Sequence, residues 1–301
     1  MKTLSNFILL LIFLLPVHVF AQKVDSTTLL KDLAYLSSND LEGRATQTEG
    51  NQAAQDYIIE RFNQLGMTSQ FDGFKQYFPL NNGNRRAENL AVNIIGFIPG
   101  SETSKIFLIM AHYDHLGKKG DIIYNGADDN ASGTAALLAL ADYFSENRPF
   151  HSIIFAATDA EEKGLLGAKA LVNDFPFPLE QISLVINMDM ISRSDDNKLY
   201  AVGSRHYPHL QPYLSETAKY SSLDLVLGND GGPGEKDWTH ASDHGPFHEE
   251  KIPFIYFGVE DHQDYHQPTD TFENIHPEFY TKAVELILRF IRNVDLSVEN
   301  N

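Results

Sequence analysis

The chain of 301 residues contains no cysteine. That absence removes a disulfide framework, a thiol nucleophile, thiolate zinc sites and the cysteine on which a bacterial lipid anchor is built. Basic residues are scarce, with 23 Lys and Arg against 41 Asp and Glu and a net charge of −18. Such a surface argues against nucleic acid or an anionic membrane as partner. No G-x-S-x-G elbow is present, and HEEKI at 248–252 departs from H-E-x-x-H, so neither a serine-hydrolase elbow nor a zincin helix is available. His240, His244 and His248 are four apart, but Gly245-Pro246 falls among them and is expected to interrupt a helical metal stripe. Internal repeats and low-complexity stretches are missing as well.

Long apolar runs are confined to the start, MKTLSNFILLLIFLLPVHVFAQ. A lysine, the apolar stretch Phe7 to Leu15, Pro16 and then Val19-Phe20-Ala21 read as a secretory signal spanning 1–21, cleaved after Ala21. The stretch is short for a membrane span and polar sequence follows at once. The expected mature chain, 22–301, is periplasmic or secreted, without membrane contact, and about one charge more acidic for the loss of Lys2.

With 43% apolar side chains the chain can bury a substantial core. Leu29, Leu33 and Leu36 recur at helical spacing behind the capping residues Ser26 and Thr27, and a second helix spans about 51 to 65 with Gly66 as its stop. The pattern then changes to short apolar runs: LAVNIIGFI, KIFLIMA, HSIIFAAT, ISLVINM and IPFIYFGV. Helical segments are expected at 132–144, 165–172, 208–220 and 277–294. Buried strands interleaved with helices indicate an α/β protein, a three-layer α/β/α sandwich with a central mixed, mostly parallel sheet. Residues 22–301 are expected to form a single domain, because the span from Phe74 to Glu88 is too short to hold an inserted one.

The polar residues fall at the ends of these runs. His112 follows KIFLIMA, Glu161-Glu162 follow HSIIFAAT, Asp189 follows ISLVINM, and His266 comes a few residues after IPFIYFGV. Asp129, in GADDNASG, sits just ahead of a helix start. Sites in open α/β sheets lie outside the carboxyl ends of the strands, so these residues should converge on one edge. Two histidines and three carboxylates make a nitrogen and oxygen set suited to zinc or a similar divalent ion. Singly each has a plainer explanation, such as a helix cap for the aspartate; their coincidence at one rim is what points to a metal.

HYD at 112–114, GADDNASG at 126–133, EEKGLLGA at 161–168, NMD at 187–189 and YHQPTDT at 265–271 resemble the dizinc exopeptidases typified by secreted bacterial aminopeptidases. Glutamate carboxypeptidase II and glutaminyl cyclase belong to the same superfamily. The resemblance covers nearly all of the mature chain. It implies two co-catalytic Zn2+ ions bridged by Asp129, which matches the family aspartate on counting back from Ser132-Gly133, rather than by Asp128. One ion would take His112 and Asp189, the other Glu162 and His266. Asp114 would orient His112, Glu161 would be the general base, and a cis peptide would follow Asp129. Tyr265 is the candidate oxyanion donor; other relatives place that group near 238–242, where this chain has Thr239. Asp243 and His244 would support the site, and GNDGGPGEKDWTH with the loop around His262 would form the side-chain pocket.

The implied substrate is a peptide with a free N-terminus. Alternatives are a glutaminyl cyclase, a carboxypeptidase of the same family, and a catalytically silent zinc- or peptide-binding protein.

Overall fold

The computed structural model describes residues 23–81 and 89–297; the signal expected at 1–21 lies outside them. The strands are Lys75–Pro79 (β1), Leu90–Ile98 (β2), Glu102–His112 (β3), Gly117–Lys119 (β4), Ile122–Tyr124 (β5), His151–Thr158 (β6), Ile182–Met188 (β7), Lys198–Val202 (β8), Asp224–Leu227 (β9) and Phe254–Gly258 (β10). The α-helices are Ser26–Leu36 (α1), Glu49–Gln64 (α2), Gly133–Glu146 (α3), Leu166–Asn173 (α4), Gln211–Ala218 (α5), Gly245–Glu249 (α6) and Pro277–Ser297 (α7). Eight strands form one sheet in the order β1-β2-β6-β3-β7-β10-β8-β9, and β4 and β5 form a separate hairpin.

The sheet is mixed. β1, β2 and β6 pair antiparallel in turn, and β10 pairs antiparallel with β8. At its centre β6, β3, β7 and β10 are neighbours and all parallel. Their carboxyl ends therefore lie on one rim. The apolar runs are continuous because both faces are covered. Successive side chains alternate across the sheet: Phe107, Ile109 and Ala111 join the core shared with α1, α2, α3 and α7, while Ile106, Leu108 and Met110 join the core shared with α4 and α6.

Helix ends follow local chemistry. Asp25, rather than Ser26 or Thr27, caps α1 by accepting from Thr27 N at 3.0 Å. Thr48 caps α2 through Asn51 N. α2 closes with Gly66 at φ +65°, Gly66 N donating to Asn63 O and Met67 N to Phe62 O, the glycine-terminated double closure that satisfies the last carbonyls. α6 begins at Gly245, so no single helix runs from His240 to His248, as expected; Pro246 lies in its first turn, where the missing N–H would go unbonded anyway.

Candidate metal centre

Each expected ligand sits where a strand or loop delivers it to the common rim. His112 is the last residue of β3, Asp189 follows β7, and Glu161 and Glu162 lie in a single turn beyond β6. Asp129 precedes α3 and His266 lies in the loop after β10. The two oxygens of Asp129 face different imidazoles: Oδ1 is 3.4 Å from His112 Nε2 and Oδ2 is 3.0 Å from His266 Nε2. Asp189 Oδ1 lies 3.3 Å from His112 Nε2, and Glu162 Oε2 3.5 Å from His266 Nε2. Asp128 points elsewhere, accepting from Ser192 N at 2.7 Å and lying 2.9 Å from His262 Nε2.

These separations fit a metal. Two donors at about 2.0–2.2 Å from one tetrahedral zinc stand roughly 3.3 Å apart. His112, Asp129 and Asp189 form one close set of donors; His115, Asp129 and Glu162 form a second. Glu162 Oε1 and both ring nitrogens of His115 are buried without a hydrogen-bond partner. Buried polar atoms left so are expensive, and a cation between them is the simplest resolution. His115 was not singled out in the sequence, although it stands three residues after His112.

The surroundings fix the donors. Asp114 lies against His112 Nδ1 through two groups, its backbone carbonyl at 3.2 Å and its carboxylate Oδ1 at 3.7 Å. That carboxylate also accepts from Glu161 N at 3.0 Å and Glu162 N at 3.4 Å. Asp189 Oδ2 accepts from Ser242 Oγ at 2.7 Å, and Ser242 Oγ accepts from Asn187 Nδ2 at 2.9 Å. Asp270 accepts from Asp128 N at 2.8 Å and Asp129 N at 3.1 Å, tying the His266 loop to the Asp129 loop. Arg44, fully buried, donates to the carbonyls of Leu36, Tyr113, Asn125 and Gly126. Neither Ser242 nor the Asp270 carboxylate was legible as a partner. The Asp129–Asn130 peptide is cis, as the resemblance implied. Ala160, Met190 and His266 all have positive φ near +57°, a rare backbone for such residues, and such outliers cluster at functional sites.

Glu161 and Glu162 are adjacent yet electrostatically opposite. Burial pushes the Glu161 carboxyl up to about 10, with Asp189, Asp243 and Asp129 adding repulsion and His112 opposing. Burial also works against ionisation of Glu162, but the imidazoles of His115 and His266 overcome it and hold the carboxyl well below its usual range. Environments that separate two carboxyls this way assign them different work.

A cavity of about 110 Å³ opens on the rim, lined by Glu161, Asp189, Met190, Trp238, Tyr256, Val259, Asp261 and Tyr265, among others. Tyr265 stacks on His266 with ring centres 3.9 Å apart. Of the Gly/Pro-rich stretch expected to form the pocket, only Trp238 lines it. The rest folds on itself, Asp230 bridging to Asp237 and Trp238 N donating to Asn229 O. The ring of His262 turns inward, to Asp128, but the loop around it does line the cavity, through Asp261.

The histidines at 240, 244 and 248 do not form a stripe. His240 and His248 line a separate surface cavity with His206. His244 is buried, between Phe254 and Tyr256, with Nε2 2.9 Å from Trp238 O and Asn187 Nδ2 3.3 Å from Nδ1. Burial lowers its pKa from 6.5 to about 3. The unfolded chain therefore binds a proton here that the folded one refuses. That contribution to stability is complete above pH 6.5 and is lost as pH falls toward 3. His244→Phe, which cannot titrate, is expected to flatten this acid limb by about 2 kcal/mol between neutrality and pH 5. Urea midpoints across that range check it; parallel pH profiles for the two proteins would refute it.

The sequence pattern of peptidase family M28 matches residues 93–291. A probable zinc metalloprotease of Pyrenophora tritici-repentis is 27% identical over 226 residues, which is 68% of this chain and 49% of that protein. Aminopeptidase YwaD of Bacillus subtilis is 30% identical over 195 residues, 60% of this chain and 39% of that protein. This chain spans about half the length of the curated relatives it matches. Among solved structures, a Zn-dependent exopeptidase from Parabacteroides distasonis has the same fold, with a TM-score of 0.72 at 20% identity, covering 90% of this chain and 99% of that one.

Proposed function

The chain belongs to peptidase family M28, and on that premise we propose that it is a dizinc aminopeptidase that releases single residues from peptides with a free N-terminus. The observation that carries this reading is Asp129, whose two oxygens lie within 3.4 Å and 3.0 Å of imidazoles brought from different loops. His112, Asp189 and Asp129 would hold one ion; Asp129, Glu162 and His266 would hold the other. Bound there, two zinc ions supply Lewis acidity toward the scissile carbonyl and make water a nucleophile near neutral pH.

The remaining work falls to the chain. Glu161 faces the cavity and accepts the proton of the attacking water, then delivers it to the departing amine. Its raised proton affinity suits an acceptor, and dications beside it favour the ionised form from which it starts. The acidic rim attracts the substrate's α-ammonium group. Apolar walls from Met190, Trp238, Tyr256 and Val259 receive the first side chain.

Tyr265 donates a hydrogen bond from its hydroxyl to the oxyanion that forms at the carbonyl. Burial and the nearby carboxylates keep that hydroxyl protonated well above its ordinary range. Tyr265→Phe preserves the stack on His266 and is expected to lower kcat by about 10²–10³ with little change in KM. A variant with unaltered kcat assigns the ring to packing alone.

The function itself is tested by digesting a mixed peptide library with and without a chelator and reading the products by mass spectrometry. Chelator-sensitive loss of single N-terminal residues supports the reading. Loss from the C-terminus, or pyroglutamate formation from Gln-peptides, overturns it in favour of a carboxypeptidase or a cyclase. The M28 match and the relatives named as metalloprotease and aminopeptidase favour peptide hydrolysis over cyclisation.

A further inference from the structure

We infer that His115 is a third imidazole donor of the centre, so that the Asp129–Glu162 half has four protein ligands where the His112–Asp189 half has three. The inference rests on the dizinc reading above and concerns how the ions are held. His115 is 2% exposed, and its ring is pressed against the backbone of Gly126, where a Cβ would come within 2.5 Å of the imidazole carbons. The ring therefore has one place to be. From there Nδ1 lies 2.9 Å from Glu162 Oε1 and 3.7 Å from Asp129 Oδ2.

The short approach to Glu162 is not made in hydrogen-bond geometry, since Nδ1, Nε2 and Glu162 Oε1 all lack a partner. A nitrogen and an oxygen about 3 Å apart, both buried and neither in a well-formed hydrogen bond, are what neighbouring ligands of one cation look like. The carboxylate of Glu162 is spread between two imidazoles, Oε1 toward His115 and Oε2 toward His266 at 3.5 Å. The two rings stand 5.9 Å apart at 59°, side by side around that carboxylate.

The asymmetry has a consequence. Four protein donors close a tetrahedral zinc site, whereas three leave a position for water or substrate. The four-donor half is then the anchoring one and the three-donor half the reacting one, and the ions should load in that order.

Zinc X-ray absorption on the fully loaded wild-type protein, together with zinc and cobalt titrations of the chelator-stripped protein, tests this. The expected spectrum fits three imidazoles per two zinc ions, and the titration shows a tight first ion and a weaker second. His115→Phe should reduce the count to two imidazoles and weaken the tighter ion at least about 10-fold, leaving the other unchanged. Two imidazoles per two zinc ions in the wild type overturns the inference without needing the variant. So does His115→Gln with wild-type affinity, which would make His115 only a hydrogen-bond donor to Glu162. A wild-type protein that takes up no zinc sinks the dizinc reading itself, a result distinct from either of these.

Discussion

Glu161→Gln is expected to lower kcat by about 10²–10⁴ while zinc content and KM stay near wild type. The substitution keeps the shape and the carbonyl oxygen but removes the ability to accept a proton. The ligand distances all involve His112, His115, Asp129, Glu162, Asp189 and His266, not Glu161, so the ions should stay. Glu162→Gln is the contrasting variant. Its two oxygens lie 2.9 Å from His115 Nδ1 and 3.5 Å from His266 Nε2, within the donor set itself, so losing that charge should release an ion as well as activity. Zinc analysis beside steady-state kinetics separates the two residues. Turnover by Glu161→Gln within a few-fold of wild type would falsify its role as general base, and loss of zinc from it would move it into the ligand set.

How far the site could be read in advance depends on the kind of signal each residue leaves. The central strands announced themselves because both of their faces are buried: HSIIFAAT and ISLVINM coincide with β6 and β7 residue for residue. β9 went unread because it is a short edge strand whose two end residues are exposed, leaving no continuous apolar run. Ligands at strand ends were legible for the same reason as the strands, since parallel neighbours bring their carboxyl ends together. Groups acting through tertiary contact were not. Ser242 reaches Asp189 across 53 positions and Asp270 reaches Asp129 across 141, and neither side chain departs from an ordinary turn composition. His115 stands one residue beyond the HYD motif and was passed over. A histidine three residues beyond a strand end gives no sign that its ring will fold back under a glycine to meet Glu162. Asp114 has a second contact that the sequence did not suggest, because the carboxylate beside the imidazole also braces the glutamate backbone.

Asp129→Ala should abolish measurable turnover and reduce bound zinc from two ions to less than one, because both halves of the centre share this carboxylate. Loss of a ligand exceeds the roughly 10–100-fold drop in affinity that follows loss of a group merely supporting one. Without metal, two effects on stability oppose each other. Burial raises the Asp129 carboxyl above its usual 3.8, with Glu162 and Asp189 adding to the rise against His115 and His266. A carboxyl whose folded pKa is raised favours the folded state only while protonated and opposes it as pH climbs through that value, so at neutral pH the stripped site carries repulsion. Removing Asp129 relieves it. The same substitution removes the carboxylate whose hydrogen bond raises His266 to about 10, so the chelator-stripped variant and the stripped wild type should melt close together. Zinc at a thousandfold excess over its dissociation constant stabilises a single site by about 4 kcal/mol, a rise in Tm on the order of 10 °C for a chain this size. Wild type should show that rise and Asp129→Ala should not. Asp128→Asn serves as the control. Its carboxylate is engaged by Ser192 and His262, so it should keep the zinc-dependent rise even if the fold is weakened. Were Asp128→Asn to lose the rise and Asp129→Ala to retain it, the bridge would belong to the other aspartate, and the division of donors between the two halves would have to be redrawn around it.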